Sequence, residues 1–160
     1  MGAHLAESAV AMDKTLTKLV ADNAGVPQAA WRLVRNKDLH SKMEQILDSI
    51  EEAFSYPVFV KPAGTGSSVG VSKAADREQL RTALAQAGTF DEKILVEEFI
   101  HGREIEVAVM GNDNPMASGC GEIDSGAEFY DYDAKYVTDT SVAYIPARID
   151  ESVEEQIRET

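Results

Sequence analysis

The apolar positions along the chain fall into short runs of two kinds. Leu16, Leu19 and Val20 share one helical face after Asp13, a residue suited to cap a helix start, and Gly25 followed by Pro27 supplies the stop. Ala30 to Val34 alternates like a short strand. From Asp38 the positions Leu39, Met43, Ile46, Leu47, Ile50 and Phe54 recur at helical spacing, which predicts an amphipathic helix of about four turns that Pro57 ends. Val58-Phe59-Val60 predicts a strand closed by Lys61-Pro62. A glycine- and serine-rich stretch, Gly64 to Gly70, leads to a second strand over about 69–73. Asp76 and Gln79 form a capping pair for a helix carrying Leu80, Ala83, Leu84 and Ala87, with Gly88 beyond its end.

Strands are then expected at Ile94 to Val96, at Ile105 to Val109, at Ala117 to Ile123 and at Val142 to Ile145, with a turn at Gly111 to Asn114. The polar and aromatic stretch from Asp124 to Asp139 has no periodicity and reads as a long functional loop. Asp150 caps a final helix. Helices and strands mix, and neighbouring strands suit antiparallel pairing, so the fold class is α+β in two small lobes divided near Gly102 to Glu104.

Composition narrows the function. With 44% hydrophobic residues the 160-residue chain can bury a core. No apolar stretch approaches the length of a membrane span, and Met1 to Glu7 lacks the pattern of a secretory signal. The single cysteine, Cys120, cannot form an internal disulfide, which fits a reducing, cytoplasmic location. The net charge of −13 opposes binding to nucleic acid, but a few lysines focused in a cleft can still hold a triphosphate.

Three constellations carry candidate chemistry. The segment Gly64-Thr65-Gly66-Ser67-Ser68-Val69-Gly70 offers backbone N–H groups that can approach phosphate oxygens closely. No Lys-Ser or Lys-Thr follows its last glycine, so it is not a Walker loop. Its G-x-G-x-x-x-G spacing, followed by a strand, also fails the dinucleotide fingerprint. A hairpin closing over phosphates is the remaining phosphate-binding geometry, although an exposed hairpin would use the same residues. Lys14 and Lys61 are point charges suited to phosphate, and Lys61 follows directly on a buried-type strand. Glu97, Glu98, Phe99 and Ile100, followed by Gly102-Arg103-Glu104, could supply an apolar slot and carboxylates for a nucleoside; spacing alone favours reading Glu97 and Glu104 as two exposed acids.

His4, His40 and His101 lack the spacing of a metal site or triad and read as structural or surface residues. Trp31 reads as core, and Cys120, with no histidine nearby in sequence, is not expected to be a nucleophile. From Glu122 onward 11 acidic residues stand against 3 basic ones, which reads as a solvated face.

In order along the chain stand Ser8 to Lys14 (SAVAMDK), Val60-Lys61-Pro62 with Gly66 to Lys73 (GSSVGVSK), Gly102 to Val109 (GREIEVAV) and Phe129 to Tyr136 (FYDYDAKY). Together these resemble the D-alanine–D-alanine ligases of the ATP-grasp superfamily over about residues 8–160. The resemblance implies an ATP-grasp fold, with residues 1–103 as the central ATP-binding lobe and 104–160 as the beginning of the carboxy-terminal lobe. It implies that Lys14 and Lys61 hold the α- and β-phosphates, and that Ser67, Ser68, Gly66 and Gly70 form a lid. Glu97 and Ile100 would face adenine, Glu98 and Phe99 would line that region, and Glu104 would hold the ribose. Lys135 would reach the γ-phosphate, and Tyr136 would join Ser67 in positioning the first D-alanine.

The implied activity is an ADP-forming ligation of two D-alanines through D-alanyl phosphate, for peptidoglycan synthesis, by an enzyme that forms a homodimer. The family's amino-terminal substrate domain, its catalytic arginine and its Asp, Glu and Asn magnesium ligands have no counterpart in these 160 residues. The expectation is therefore that Mg2+ ligands lie beyond Thr160 and that the fragment alone is inactive. A ligase adding D-serine or D-lactate shares most of the motifs; Tyr136 argues against D-lactate, and the second-substrate residues lie largely beyond Thr160. A nucleotide-binding module without catalysis is the alternative of another class.

Overall fold

The structure is a computed structural model that describes residues 3–124 and 141–160. It divides into two compact units, Met1–Ile100 and His101–Thr160.

The first unit opens with helices α1 (Leu5–Met12) and α2 (Lys14–Ala24), followed by β1 (Trp31–Arg35), α3 (Asn36–Ala53), β2 (Val58–Pro62), β3 (Ser72–Ala74), α4 (Arg77–Ala87) and β4 (Lys93–Glu98). Its strands form one antiparallel sheet in the order β1-β4-β2-β3. Alternation decides the two faces of that sheet. Val34, Val58, Val60, Ala74, Ile94 and Val96 point to one face, where Leu39, Leu47 and Ile50 of α3 and Leu80, Ala83, Leu84 and Ala87 of α4 complete the core. Truncating one of the fully buried leucines, such as Leu47 or Leu84, would cost about 2–5 kcal/mol. The opposite face carries Phe59, Lys61, Lys73, Lys93 and Glu97, in register across the strands.

The starts of α2 and α4 follow the expected caps, whereas α3 begins at Asn36, ahead of the expected Asp38. The Asp13 carboxylate accepts from the Thr15 and Leu16 amides at 2.9 and 3.2 Å, and Gly25 ends α2 in the left-handed conformation. Asp76 accepts from the Gln79 amide at 2.9 Å, and Gln79 in turn accepts from the Ala75 amide.

Several expectations change. Residues 5–12 form a helix with no buried residue, which periodicity did not indicate. In α2 the apolar face of Leu16, Leu19 and Val20 stays exposed, while Lys14 and Lys18 on the other side reach the sheet and its loop. Trp31 is half-buried rather than core, because it lies at the end of an edge strand on the polar face. The second hairpin strand begins at Ser72, since Ser67, Ser68 and Gly70 all adopt positive φ and the bonds from Val69 N to Gly66 O and from Val71 N to Ser68 O make turns.

In the second unit β5 (Glu104–Glu106), β8 (Gly121–Asp124) and β9 (Val142–Tyr144) form a three-stranded antiparallel sheet in the order β5-β8-β9. β6 (Val109–Met110) and β7 (Met116–Ala117) form a small hairpin, and α5 covers Glu151–Glu159. The two longer strands expected at Ile105 to Val109 and Ala117 to Ile123 are each interrupted. Ser118 closes the gap by donating its amide to Ala108 O at 2.8 Å and accepting the Ala108 amide on its hydroxyl at 3.0 Å. Asp150 precedes α5, but its carbonyl rather than its side chain receives the first bonds. The stretch from Asp124 to Asp139 lies outside the described residues except for its first member. No described helix is long and apolar enough to cross a membrane.

Candidate functional site

Lys61 stands on the polar face of the sheet because Val58, Val60 and Pro62 take the core side of β2. Its ammonium binds the Glu97 carboxylate and lies 5.2 Å from the Phe59 ring centroid. Glu97, the register partner of Phe59 on β4, is only 5% exposed, and its other oxygen accepts from Lys18 of α2 at 2.6 Å. Burial pushes the Glu97 carboxyl upward, but the charge of Lys61 and the bonds from both lysines outweigh it, so the group stays below the ordinary range and ionised.

Lys14, at the start of α2, reaches the opening of the glycine-rich loop. Its ammonium donates to the carbonyls of Pro62 (3.0 Å), Ala63 (3.4 Å) and Thr65 (2.5 Å), and its own amide donates to Ala63 O at 3.0 Å. Burial, and then the nearby charge of Lys61, pull the Lys14 ammonium below its ordinary value. Asp91 holds the same loop from the other side, accepting the Gly64 amide at 2.6 Å. Lys93 pairs with Asp13 and fixes the start of α2 against the sheet.

The loop itself is tightly turned. Ser67 and Ser68 have φ of 50° and 59°, and the Thr65 hydroxyl donates to Val69 O at 2.8 Å. Two of its three glycines, Gly66 and Gly70, differ. At Gly70, with φ of 74°, a Cβ would stand 2.7 Å from Phe90 and 2.8 Å from Pro62. At Gly66 a Cβ would meet nothing within 4 Å. Gly70 is therefore required by the fold, whereas Gly66 leaves open space above the loop.

The remaining expected residues are placed as follows. Glu98 turns to the core side of β4 and accepts the Ala30 amide at 2.8 Å, tying the start of β1. Phe99 lies 5.8 Å from Phe59, with the Lys73 ammonium 4.4 Å from its ring centroid. Ile100 is 63% exposed at the end of the first unit, and Glu104 is the exposed first residue of β5 in the second. Lys135 and Tyr136 lie outside the described residues.

The sequence reading missed Lys18, Lys73 and Asp91. The signal for Lys18 was its position four residues after Lys14, on the same helix face. Lys73 could have been found from strand alternation, since it is the register partner of Phe59. Nothing in the local pattern around Asp91 announced its bond to a loop 27 residues away.

In the second unit Glu122, expected in a solvated face, is instead 3% exposed. Arg103 grips it with two bonds of 2.8 and 2.7 Å, and Arg148 adds its Nε, Nη2 and amide at 3.0, 3.1 and 3.2 Å. The two arginines hold its carboxyl well below the ordinary range. Among the described residues no group of three His, Cys, Asp or Glu side chains is placed to hold a metal ion. The magnesium implied by the resemblance does not fit the described acids.

A small antiparallel sheet backed by two helices, with lysines and a glycine-rich hairpin on its open face, is the architecture of an ATP-grasp fold. Over 95% of its length the chain matches the VanG D-Ala:D-Ser ligase of Enterococcus faecalis, with a TM-score of 0.81, 34% identity and 43% of that chain covered. It matches D-alanyl-alanine synthetase A of Vibrio cholerae with a TM-score of 0.77 and 28% identity, over 95% of this chain and 46% of that one. Residues 20–160 match the sequence model of the family described as D-ala D-ala ligase C-terminus, and the chain belongs to that family.

Among curated relatives, the D-alanine–D-alanine ligase of Acetivibrio thermocellus is 52% identical over 158 residues, covering 99% of this chain and 42% of the relative. That of Chlorobium phaeovibrioides is 48% identical over 157 residues, covering 98% and 44%. The chain thus spans less than half the length of these relatives.

Proposed function

We propose that the chain is the nucleotide-gripping part of an ATP-dependent ligase that joins two D-alanines through a D-alanyl phosphate. The observation that carries this reading is the grouping of Lys14 and Lys61 beside the Gly64–Gly70 loop, in a protein of net charge −13. Such a local excess of positive charge next to adaptable backbone amides suits phosphate. Lys14 and Lys61 are the proposed ligands of the α- and β-phosphates, and Ser67, Ser68, Gly66 and Gly70 form the loop above them. Phe59 and Phe99 offer an apolar surface for the base, with Glu97 and Ile100 facing adenine and Glu98 supporting that region through the Ala30 amide. Glu104 is proposed for the ribose, Lys135 for the γ-phosphate, and Tyr136 with Ser67 for the first D-alanine. The residues of this chain would contribute mainly charge neutralisation and positioning of the reacting groups.

In this reading residues 1–103 are the central lobe and 104–160 begin the carboxy-terminal lobe. The whole protein would take ATP, Mg2+ and D-alanine in the cytoplasm, work as a homodimer and supply peptidoglycan synthesis. The likeness to the VanG D-Ala:D-Ser ligase supports a second reading in which the second substrate is D-serine. Titration calorimetry with ATP tests the core of the proposal: wild type binds, and Lys61→Ala loses about tenfold or more, on the order of 1.4 kcal/mol. Equal binding by both proteins would remove Lys61 from the site. Full-length enzyme supplied with ATP, D-alanine and D-serine then separates the two substrate readings by its product.

A further inference from the structure

Lys61 has a difficulty that its neighbours resolve. To bind phosphate its ammonium must turn partly or wholly away from Glu97, a carboxylate only 5% exposed. A buried carboxylate stripped of its partner is strongly unfavourable, and that cost would be subtracted from phosphate affinity. Glu97, however, has two lysines, one on each oxygen: Lys18 on Oε1 at 2.6 Å and Lys61 on Oε2. They are not equivalent. The Lys18 side chain is 15% exposed, is rooted in α2 and also donates to Ala29 O at 3.3 Å. The Lys61 side chain is 27% exposed and lies over the Phe59 ring on the open face. One partner is anchored, and the other is free to change direction.

We propose that Lys18 is a positioning residue, the resident counter-ion of Glu97, which keeps that carboxylate paired and so releases Lys61 to a phosphate ligand. The inference rests on the reading of Lys61 as a phosphate ligand. Lys18 itself need not touch the nucleotide. Without it, Glu97 has only Lys61, and phosphate must compete with a buried carboxylate for that single ammonium. The same logic makes the role of Lys18 conditional on the charge at position 97: with a neutral side chain there, no counter-ion is needed.

The test is a double-mutant cycle on the 160-residue chain, read by calorimetry with inorganic tripolyphosphate. This probe has no base, so any part Glu97 plays at adenine is silent. Lys18→Met should weaken binding about tenfold, within the coupling range of contacting residues, and Lys18→Arg should stay near wild type. In a Glu97→Gln background, adding Lys18→Met should change affinity less than about twofold. Thermal melts establish that each variant folds, and Lys18→Gln replaces Lys18→Met if the latter does not. An unchanged affinity in Lys18→Met overturns the proposal, as does an equal loss in both backgrounds, which would mean direct contact or a structural role. Absence of tripolyphosphate binding by wild type, or no loss in Lys61→Ala, overturns instead the phosphate reading on which the proposal stands.

Discussion

Gly66 and Gly70 of the loop should respond oppositely to the same substitution. At Gly70 the φ of 74° lies in the left-handed region, where a non-glycine residue costs about 1–2 kcal/mol. An alanine methyl there would also press on Phe90 at 2.7 Å and on the buried Pro62 at 2.8 Å, adding about 1–3 kcal/mol of overpacking. Gly70→Ala should therefore destabilise by about 2–5 kcal/mol, a large share of the roughly 5–15 kcal/mol that holds a typical domain. Gly66→Ala meets no atom within 4 Å and needs no left-handed backbone, so its stability should stay within about 0.5 kcal/mol of wild type. Its methyl instead occupies the space a phosphate would approach, and ADP affinity should fall. Urea unfolding of the three proteins measures the first effect, and calorimetry with ADP the second. A Gly70→Ala protein as stable as wild type would refute the steric argument. A Gly66→Ala protein that loses stability but keeps its ADP affinity would show that Gly66 serves the fold.

Acid should weaken the first unit through Glu44, whose carboxyl is held at about 2, against an ordinary 4.5, by bonds from Arg81 and Arg77. A depressed folded-state pKa adds stability above the ordinary value and loses it as pH falls toward the folded one. Unfolding midpoints should therefore drop between about pH 4.5 and 2, and Arg77→Ala should show a smaller drop; an equal one would discard this cause. Cys120, 1% exposed, should react with a thiol reagent only as fast as the second unit opens; labelling at the rate of a free thiol would contradict its burial.

Much of this protein follows from local pattern. Alternation of Val58 and Val60 with Phe59 and Lys61 defines a strand with one core face, whatever lies around it, because successive side chains must point to opposite sides. Asp13, Gly25, Asp76 and Gln79 mark helix ends through bonds made within a few residues. The glycine- and serine-rich loop and the lysines beside it were visible for the same reason. What tertiary structure decided are the contacts between residues distant in sequence. The sheet order β1-β4-β2-β3 brings Glu97 beside Phe59 and under Lys61, a pairing no spacing encodes. The apolar positions of α2 share one face, but the sheet face the helix approaches is charged, so its lysines turn inward instead. Glu122 looked like one acid among many until the fold brought two arginines to it, which supply the charge pairing that lets a carboxylate leave water.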